Sequence, residues 1–223
     1  MGSSYNPAIV TDGLVLCLDA ANKRSYPGTG TTWSDRSASG YDGTLTNMDA
    51  SNFSSDNGGT LSFDGSNEYV NFGDILDDKI SDSLSIGIFC KPLSLTGTQN
   101  IFSKGSSYWL HKENTTQKFR FKIETNNGRK EVQANLNLST DKFYFIVGIL
   151  NQQSIEIYVD GLRYAQSSFS GTFSKTNYDL RAGGWWTGND NFNGIIGNAF
   201  IYNRALSADE VRQNYEATAG RFS

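Results

Sequence analysis

The sequence predicts an all-β protein, an antiparallel two-sheet β-sandwich (jelly roll) with one short C-terminal helix. Three observations predict this class: short apolar segments follow one another closely, turn signals separate them, and one complete helix-capping signal stands near the end. The chain has 23 glycines and 3 prolines, which favours tight turns over a disordered proline-rich tract. No linker or internal repeat divides it, so residues 1–223 are predicted to form a single domain with an N-terminal extension at 1–12.

The N-terminal part of the chain contains four predicted strands. These are Gly13–Ala20, Thr60–Phe63, Glu68–Phe72 and Leu84–Lys91. Each is a short apolar run, and Pro92 ends the last of them. Residues 22–59 are rich in Gly, Ser, Thr, Asn and Asp, so we expect a long, loop-heavy segment there.

The C-terminal part continues the strand pattern. The predicted strands are Phe119–Ile123, Arg129–Leu136, Phe143–Leu150, Ile155–Val159, Leu162–Gln166 and Ile195–Tyr202. Residues 119–123 alternate apolar and charged side chains, which is typical of a half-buried strand. Residues 143–150 are apolar on both faces, which indicates a central strand. The pairs Asn127-Gly128 and Asp160-Gly161 predict hairpin turns.

One helix is predicted at residues 207–216. Ser207 is the expected N-cap, and Glu210 completes an S-x-x-E capping box three residues later. Leu206 before the cap and Val211 in the first turn supply the matching hydrophobic staple.

Composition excludes several classes of function. The net charge is -4 and no basic stripe is present, so nucleic acid is not an expected partner. No run approaches the ~18 apolar residues of a membrane helix, so membrane insertion is not expected either. The polar N-terminus lacks the apolar core of a signal peptide, so we expect synthesis in the cytoplasm. Cys17 and Cys90 lie in apolar segments and are interpreted as small buried side chains, with a single disulfide as the alternative.

Catalytic motifs are scarce, so we predict no enzyme and no catalytic residue. His111 is the single histidine, and no G-x-S-x-G elbow accompanies it. Glu156 and Asp160 would share one face of a strand, as the paired carboxylates of glycosidases do. Tyr158 occupies the position between them, and Asp160 belongs to a turn signal, so an outer solvated face is the favoured interpretation.

Metal binding is open. Calcium takes six to eight oxygen ligands, and loop carboxylates and amides supply them. The loop residues of this type are Asp35, Asp42, Asp64, Asn67, Asp190 and Asn193. Asp42-Gly43 and Asp64-Gly65 are also ordinary turn chemistry, and no EF-hand spacing occurs. No cofactor is therefore predicted, with calcium as the candidate exception and no defined ligand set.

Two aromatic pairs are candidates for ligand contact. Aromatic rings stack on the C–H faces of sugars, while amides and carboxylates bind hydroxyl groups. The pairs are Trp185-Trp186, in a polar, glycine-rich segment, and Tyr108-Trp109. Because adjacent residues of a strand face opposite ways, we expect one member of each pair in the core and one exposed. The alternative is that both pairs line the core or a subunit contact. The candidate ligand-binding residues are Trp185, Trp186, Asn189, Asp190, Tyr108 and Trp109.

Motifs along nearly the whole chain resemble the concanavalin A-like lectin and laminin-G-like superfamily, which includes the pentraxins. The matching segments are Asp12–Ala20, Trp33–Leu45, Leu61–Val70, Leu84–Pro92, Tyr158–Gly161 and Phe192–Val211. Cys90-Lys91-Pro92 departs from the family's W-V-K-P-like element, so the core there must be packed differently. The resemblance implies the sandwich fold and a binding module that recognises carbohydrate in many members. The fold alone also hosts hydrolases and lyases.

The opening segment to Asp35 and the closing segment from Tyr202 resemble versions of this domain in tailed-bacteriophage virion proteins. This implies a surface-decorating or tail-fibre-associated protein on the virion surface, with other virion proteins as partners and a host or environmental glycan as candidate ligand. One alternative is a purely architectural virion subunit that binds only other virion proteins. A glycan-degrading enzyme is a second, disfavoured alternative.

Overall fold

The structure is a computed structural model that describes residues 7–222. Its strands are β1 (Leu14–Asp19), β2 (Thr32–Trp33), β3 (Gly43–Thr46), β4 (Phe53–Ser54), β5 (Thr60–Asp64), β6 (Tyr69–Gly73), β7 (Ser83–Pro92), β8 (Gln99–Lys104), β9 (Tyr108–Lys112), β10 (Phe119–Ile123), β11 (Lys130–Gln133), β12 (Tyr144–Asn151), β13 (Ser154–Val159), β14 (Leu162–Ser168), β15 (Leu180–Ala182) and β16 (Asn193–Tyr202). The helix α1 spans Ala208–Ala219, and short 3-10 turns lie at Ala50–Asn52 and Asp56–Gly58.

The strands form two antiparallel eight-stranded sheets that pack as a sandwich. Sheet I has the order β14-β13-β12-β7-β16-β5-β4, and β1 pairs with the second half of β16. Sheet II has the order β11-β10-β9-β8-β15-β6-β3-β2. The predicted all-β sandwich with one C-terminal helix is confirmed. Between 22 and 59, which we interpreted as loop-heavy, three two- to four-residue strands occur, too short to produce a periodic pattern.

The main core lies between the two sheets. In β12, Ile146 and Leu150 point into this core, whereas Val147 points to the opposite side of sheet I. Gly148 also faces the core, where the ring of Phe121 from sheet II lies against its backbone. A Cβ atom on Gly148 would be 2.3 Å from that ring, so the packing of Phe121 against sheet I here requires a residue without a side chain.

A second core covers the outer face of sheet I. The helix α1 packs there, with Val211 buried beneath it. Phe89 from β7 stacks on Phe145 and on Phe222, each at a centroid distance of 4.7 Å. This explains why β12 is apolar on both faces, and it confirms that β12 is a central strand.

The N-terminal extension is fastened to α1 where it is described. The backbone N–H of Val10 donates to Oδ1 of buried Asn214 at 2.8 Å, and the Tyr202 hydroxyl donates to the Val10 carbonyl at 2.9 Å. Residues 1–6 of the predicted extension lie outside the described residues. The helix begins at the predicted cap but continues to Ala219, past residue 216, because Thr218 and its alanine neighbours remain half-buried against the sandwich.

Both cysteines are unpaired and buried, as the favoured interpretation expected. Cys17 faces the core under α1, and Cys90 faces the core between the sheets. Burial raises the pKa of the Cys17 thiol to about 12, so it stays protonated and unreactive at neutral pH.

Stability is expected to fall in acid through the capping box of α1. Two hydrogen bonds join the Arg204 guanidinium to Glu210, at 2.6 and 2.9 Å, and they hold the pKa of Glu210 at about 2 instead of 4.5. A carboxyl whose pKa is lowered by folding stabilises the fold above its unfolded pKa and loses this effect as pH falls through the folded value. Wild type should therefore exceed Glu210→Gln in free energy of unfolding at neutral pH, and the difference should shrink between about pH 4.5 and pH 2. Urea unfolding across this range tests it, and a difference that does not change with pH would contradict it.

Candidate functional site

The outer face of sheet II carries a continuous row of polar and aromatic side chains. Strand register aligns one outward-facing residue from each of the eight strands. Strand alternation explains why these side chains point outward. On β9, for example, Tyr108 and Leu110 point into the core, so Trp109 between them faces away from it. The row consists of Thr32, Thr44, Asn71, Arg181, Ser103, Trp109, Lys122 and Glu131.

The loop between β15 and β16, residues 184–191, crosses this row, and we call it the crossing loop. Ser103 donates from its hydroxyl to the Gly184 carbonyl at 3.0 Å, where the loop leaves the sheet. The Asn100 backbone N–H donates to the Asp190 carbonyl at 2.7 Å, where the loop returns. Both ends of the crossing loop are therefore bound to β8, and its tip projects into solvent.

A buried amide holds the crossing loop in shape. Asn191 donates to the carbonyls of Ser66 and Gly188, at 2.6 and 3.3 Å, and accepts from the Trp185 backbone N–H at 3.3 Å. Gly188 adopts a φ of +79°, a conformation that glycine takes without a steric penalty. These bonds fix the direction in which the two tryptophans leave the backbone.

Trp185 and Trp109 pack against each other instead of forming an exposed surface. Their ring centroids are 5.4 Å apart, and the Arg129 guanidinium lies 4.8 Å from the Trp109 ring. Trp109 faces away from the core, as alternation requires where Tyr108 points inward, but it is only 3% exposed because these groups cover it. The expectation that one member of the Tyr108–Trp109 pair is exposed is therefore wrong.

Tyr108 points into the main core and is 1% exposed, so it does not reach the surface where a ligand would bind. The same alternation that places Trp109 outside places Tyr108 inside. Tyr108 is thus a packing residue, in contact with the ring of Phe173 at 6.3 Å.

Trp186 forms an exposed aromatic platform with Tyr178. The two rings are stacked at 4.3 Å with an interplanar angle of 19°, and they are 37% and 38% exposed. Tyr178 lies just before β15 and was not a predicted site residue. A lone aromatic in the polar stretch 174–179 was the available signal, but nothing in the sequence linked it to Trp186.

Polar groups border this platform. Asn71 donates from its amide to the Asp179 carboxylate at 3.0 Å. Arg181 donates to the Trp185 carbonyl at 3.0 Å, and its guanidinium lies 4.4 Å from the ring of Tyr69. Asn71, Asp179 and Arg181 remain partly exposed. Asp179 directly follows Tyr178 in the chain, and Arg181 binds the residue before Trp186, so donors and acceptors accompany the two exposed rings. Such a surface suits a ligand with a hydrophobic face and several hydroxyl groups.

Asn189 and Asp190 are exposed on the crossing loop, as the polar, glycine-rich sequence suggested. Asp190 has a φ of +55°, and its carbonyl accepts from both the backbone and the side chain of Asn100. Their part in ligand binding stays a prediction.

The single histidine is not placed for surface catalysis. His111 lies on β9 and is 3% exposed. Burial, together with the nearby positive charges of Lys122 and Arg120, lowers the pKa of the imidazole, which is therefore neutral at pH 7. Its Nε2 has no hydrogen-bond partner among the described residues.

The carboxylates of Glu156 and Asp160 both have protein partners. Glu156 accepts from the Tyr158 hydroxyl at 2.8 Å and from Arg163 at 3.3 Å. Asp160 accepts from the Phe145 backbone N–H at 2.9 Å and forms the predicted turn. Glu156 thus binds neighbouring side chains on the sheet, and Asp160 serves the turn. This agrees with the interpretation that the two residues are structural and not a catalytic pair.

Two of the candidate calcium ligands organise the segment before β3. The Asp35 carboxylate accepts from the backbone N–H groups of Cys17, Ser37 and Tyr41, and Asp42 accepts from the Asp35 N–H at 2.9 Å. Among residues 7–222, no group of three or more His, Cys, Asp or Glu side chains is arranged to hold a metal ion. Calcium binding itself stays untested. Within the same range, no helix has the length and apolar character to span a bilayer.

Several solved structures share this fold at low sequence identity. Domain 4 of the GH43 extracellular arabinanase of Geobacillus stearothermophilus, in complex with arabinotriose, has a TM-score of 0.70 at 17% identity, covering 92% of this chain and 100% of that domain. The receptor-binding domain of botulinum neurotoxin type G has a TM-score of 0.65 at 17% identity, and a Trypanosoma rangeli sialidase has 0.67 at 17%. The alignment to the toxin domain covers 92% of this chain but only 51% of that domain. The alignment to the sialidase covers 97% of this chain but only 34% of the sialidase.

No curated protein matches the chain. Residues 64–212 match the laminin G family model that describes the concanavalin A-like lectin/glucanases superfamily. This range covers most of the chain, from the end of β5 into α1, and includes strands of both sheets. The protein therefore belongs to the concanavalin A-like lectin/glucanases superfamily.

Proposed function

We propose that this protein is a non-enzymatic binding module that holds carbohydrate on the Trp186–Tyr178 platform. The observation that carries the proposal is the exposed, stacked pair of rings fixed beside Asn71, Asp179 and Arg181. A sugar would lay its C–H face on the exposed ring and direct hydroxyl groups to the amide, carboxylate and guanidinium. The crossing loop that carries Trp186 is bound at both ends, which lowers the cost of ordering it on binding.

The fold comparisons support a glycan ligand without specifying it. The arabinanase domain carries arabinotriose in its structure, and it is matched over its full length. The glycosidases among the structural neighbours share the sandwich, but a fold does not carry its relatives' chemistry. The hydrogen-bonded carboxylates of Glu156 and Asp160 and the buried His111 favour binding over hydrolysis.

Removing the platform is expected to abolish most glycan binding. Trp186→Ala and Tyr178→Ala should each weaken binding on a glycan array by about tenfold or more, since aromatic anchors carry a large share of binding energy. Tyr164→Ala is the matched control, because Tyr164 is 40% exposed but lies on β14 of sheet I. Equal binding by Tyr178→Ala and Tyr164→Ala, or no glycan bound by the wild-type protein, would reject the proposal.

We further propose that the module works on the surface of a tailed-phage particle, attached to other virion proteins. The support is the resemblance of its opening and closing segments to virion versions of the domain. Imaging particles with and without this chain tests the placement. Normal particles that lose surface density are expected. A missing tail or collapsed capsid would favour the architectural alternative, and absence from purified particles would reject a virion role.

A further inference from the structure

We propose a second ligand site on the opposite face of the sandwich, in a cavity between the end of α1 and the outer face of sheet I. The cavity has a volume of about 620 Å³ and is open to solvent. This volume lies within the range of small-molecule sites in proteins. The chemistry of its walls fits a neutral, polyhydroxylated ligand such as a sugar ring.

Aromatic rings form one side of the cavity. Phe222, which follows α1, stacks on Phe89 at 4.7 Å and packs on Phe143 at 4.6 Å. Tyr215 from α1 is parallel to Phe89, with an interplanar angle of 10°. Phe143, Tyr215 and Phe222 are only half-buried, so their rings are accessible from the cavity.

The chain that carries Phe222 is held in place, so the cavity is formed before any ligand arrives. Arg221 makes an ion pair with Asp19 at 2.8 Å and donates to the Asn57 carbonyl at 3.1 Å. Gly197 gives room for the ring, since a Cβ atom there would lie 2.3 Å from Phe222. A pre-formed wall lowers the ordering cost of binding.

Charged groups with unused hydrogen-bonding capacity form the other side. The Lys91 ammonium has no ion-pair or hydrogen-bond partner among residues 7–222. Asp141 accepts from the Ser139 hydroxyl through Oδ2 only, at 3.1 Å, which leaves its second oxygen available. Oδ2 of Asp160 is 3.7 Å from the Lys142 ammonium, too far for a strong hydrogen bond.

The balance of these charges decides the ligand class. Among the described residues that line the cavity, two ammonium groups, Lys91 and Lys142, stand with two carboxylates, Asp141 and Asp160, so these side chains balance in charge. A phosphate or sulfate would meet both carboxylates, and a cation would meet both ammonium groups. A purely apolar ligand would displace water from four charges without replacing its hydrogen bonds. Hydroxyl groups satisfy donors and acceptors alike, while a sugar C–H face covers the rings.

This site is separate from the Trp186–Tyr178 platform, which lies outside sheet II, and it shares only the ligand class with the proposed function. The test is a titration of isotopically labelled protein with D-glucose, D-galactose, N-acetyl-D-glucosamine, D-xylose and L-arabinose, followed by NMR. At least one of these sugars should produce saturable shifts of the backbone amides at 141–143 and 215–222. The titration reports the two sites through different amides.

Variants distinguish a built site from weak surface contact. Lys91→Met should lower the sugar affinity measured at these amides by about tenfold or more, because it removes a charged hydrogen-bond donor. Lys23→Met is the matched control, because Lys23 is exposed and its ammonium has no partner within residues 7–222, and it should leave the affinity unchanged. Trp186→Ala should also leave the affinity at the cavity amides unchanged, even if this variant abolishes the shifts near the platform. The proposal is overturned when no sugar shifts the cavity amides, or when Lys91→Met binds as the wild type does.

Discussion

Replacing Gly148 with alanine is expected to lower the free energy of unfolding by about 3 kcal/mol, the upper range for overpacking a core. The added Cβ would lie 2.3 Å from the ring of Phe121, well inside van der Waals contact. Phe121 has no solvent exposure and packs between the sheets, so its ring has no space into which it can move. Gly148→Val adds two further methyl groups in the same space and should prevent folding.

Gly87→Ala is the control for this prediction. Gly87 lies on β7, directly opposite Val147 of β12, and a Cβ atom there would make ordinary contacts at 3.4 Å or more. Both variants remove the extra backbone freedom of a glycine, but only one of them overpacks the core. Urea unfolding should show a large loss for Gly148→Ala and little change for Gly87→Ala. Similar losses for the two would show that the close approach of the sheets at Phe121 is not the cause.

The parts of the fold that the sequence predicts well are those where one local signal decides the structure. Ser207 and Glu210 make the complete capping box, with the Ser207 hydroxyl accepting from the Glu210 N–H and the Glu210 carboxylate accepting in return. Asp160 and Gly161 both take positive φ angles, as a tight hairpin requires. These elements depend on neighbours in the chain, so no knowledge of the tertiary structure is needed.

Strands β8, β9 and β15 were not among the predicted strands, because polar or charged residues interrupt their short apolar stretches. Every residue of β8 is buried, yet the strand includes polar and charged side chains. Lys104 is 1% exposed and makes its ion pair with Asp74 at 2.6 Å. Lys112 of β9 is fully buried and donates to the carbonyls of Leu95 and Gly97. In β8 and β9, polar side chains are therefore buried along with apolar ones, and their hydrogen-bond partners lie elsewhere in the chain. The sequence of such a strand does not alternate between apolar and polar residues.

The candidate site shows the same limit. The sequence identified Trp186 as a candidate contact residue, because a tryptophan in a polar, glycine-rich stretch has few local apolar partners. It did not identify Tyr178, whose ring meets Trp186 only because the crossing loop folds back over sheet II. It also overestimated the exposure of Trp109, because the cover is supplied by Trp185 and Arg129 from other elements. Exposure of an aromatic residue is a tertiary property, and alternation along a strand gives only its direction.

Replacing Asp35 with alanine is expected to lower the free energy of unfolding by about 3 kcal/mol or more. The Asp35 carboxylate is 5% exposed and accepts from three backbone N–H groups, those of Cys17, Ser37 and Tyr41, at 2.8, 2.8 and 3.0 Å. Removing it leaves one buried donor, the Cys17 N–H, and two partly buried donors without acceptors, and an unpaired buried donor costs about 1–3 kcal/mol. The Cys17 N–H belongs to the free edge of β1, so this edge would also lose its cover.

Asp35→Asn removes the charge but keeps one acceptor oxygen. Its free energy of unfolding should lie between those of Asp35→Ala and the wild type. Its single remaining carbonyl oxygen still accepts from Cys17, but its amide group would face another donor, the Tyr41 N–H. Asp56→Ala, an exposed carboxylate in the same part of the chain, should change stability little. Unfolding in urea with added calcium and with EDTA identifies the source of the effect. Because backbone hydrogen bonds need no metal ion, the loss caused by Asp35→Ala should be the same in both. A loss confined to the calcium samples would instead make Asp35 a metal ligand and overturn this account of the segment before β3.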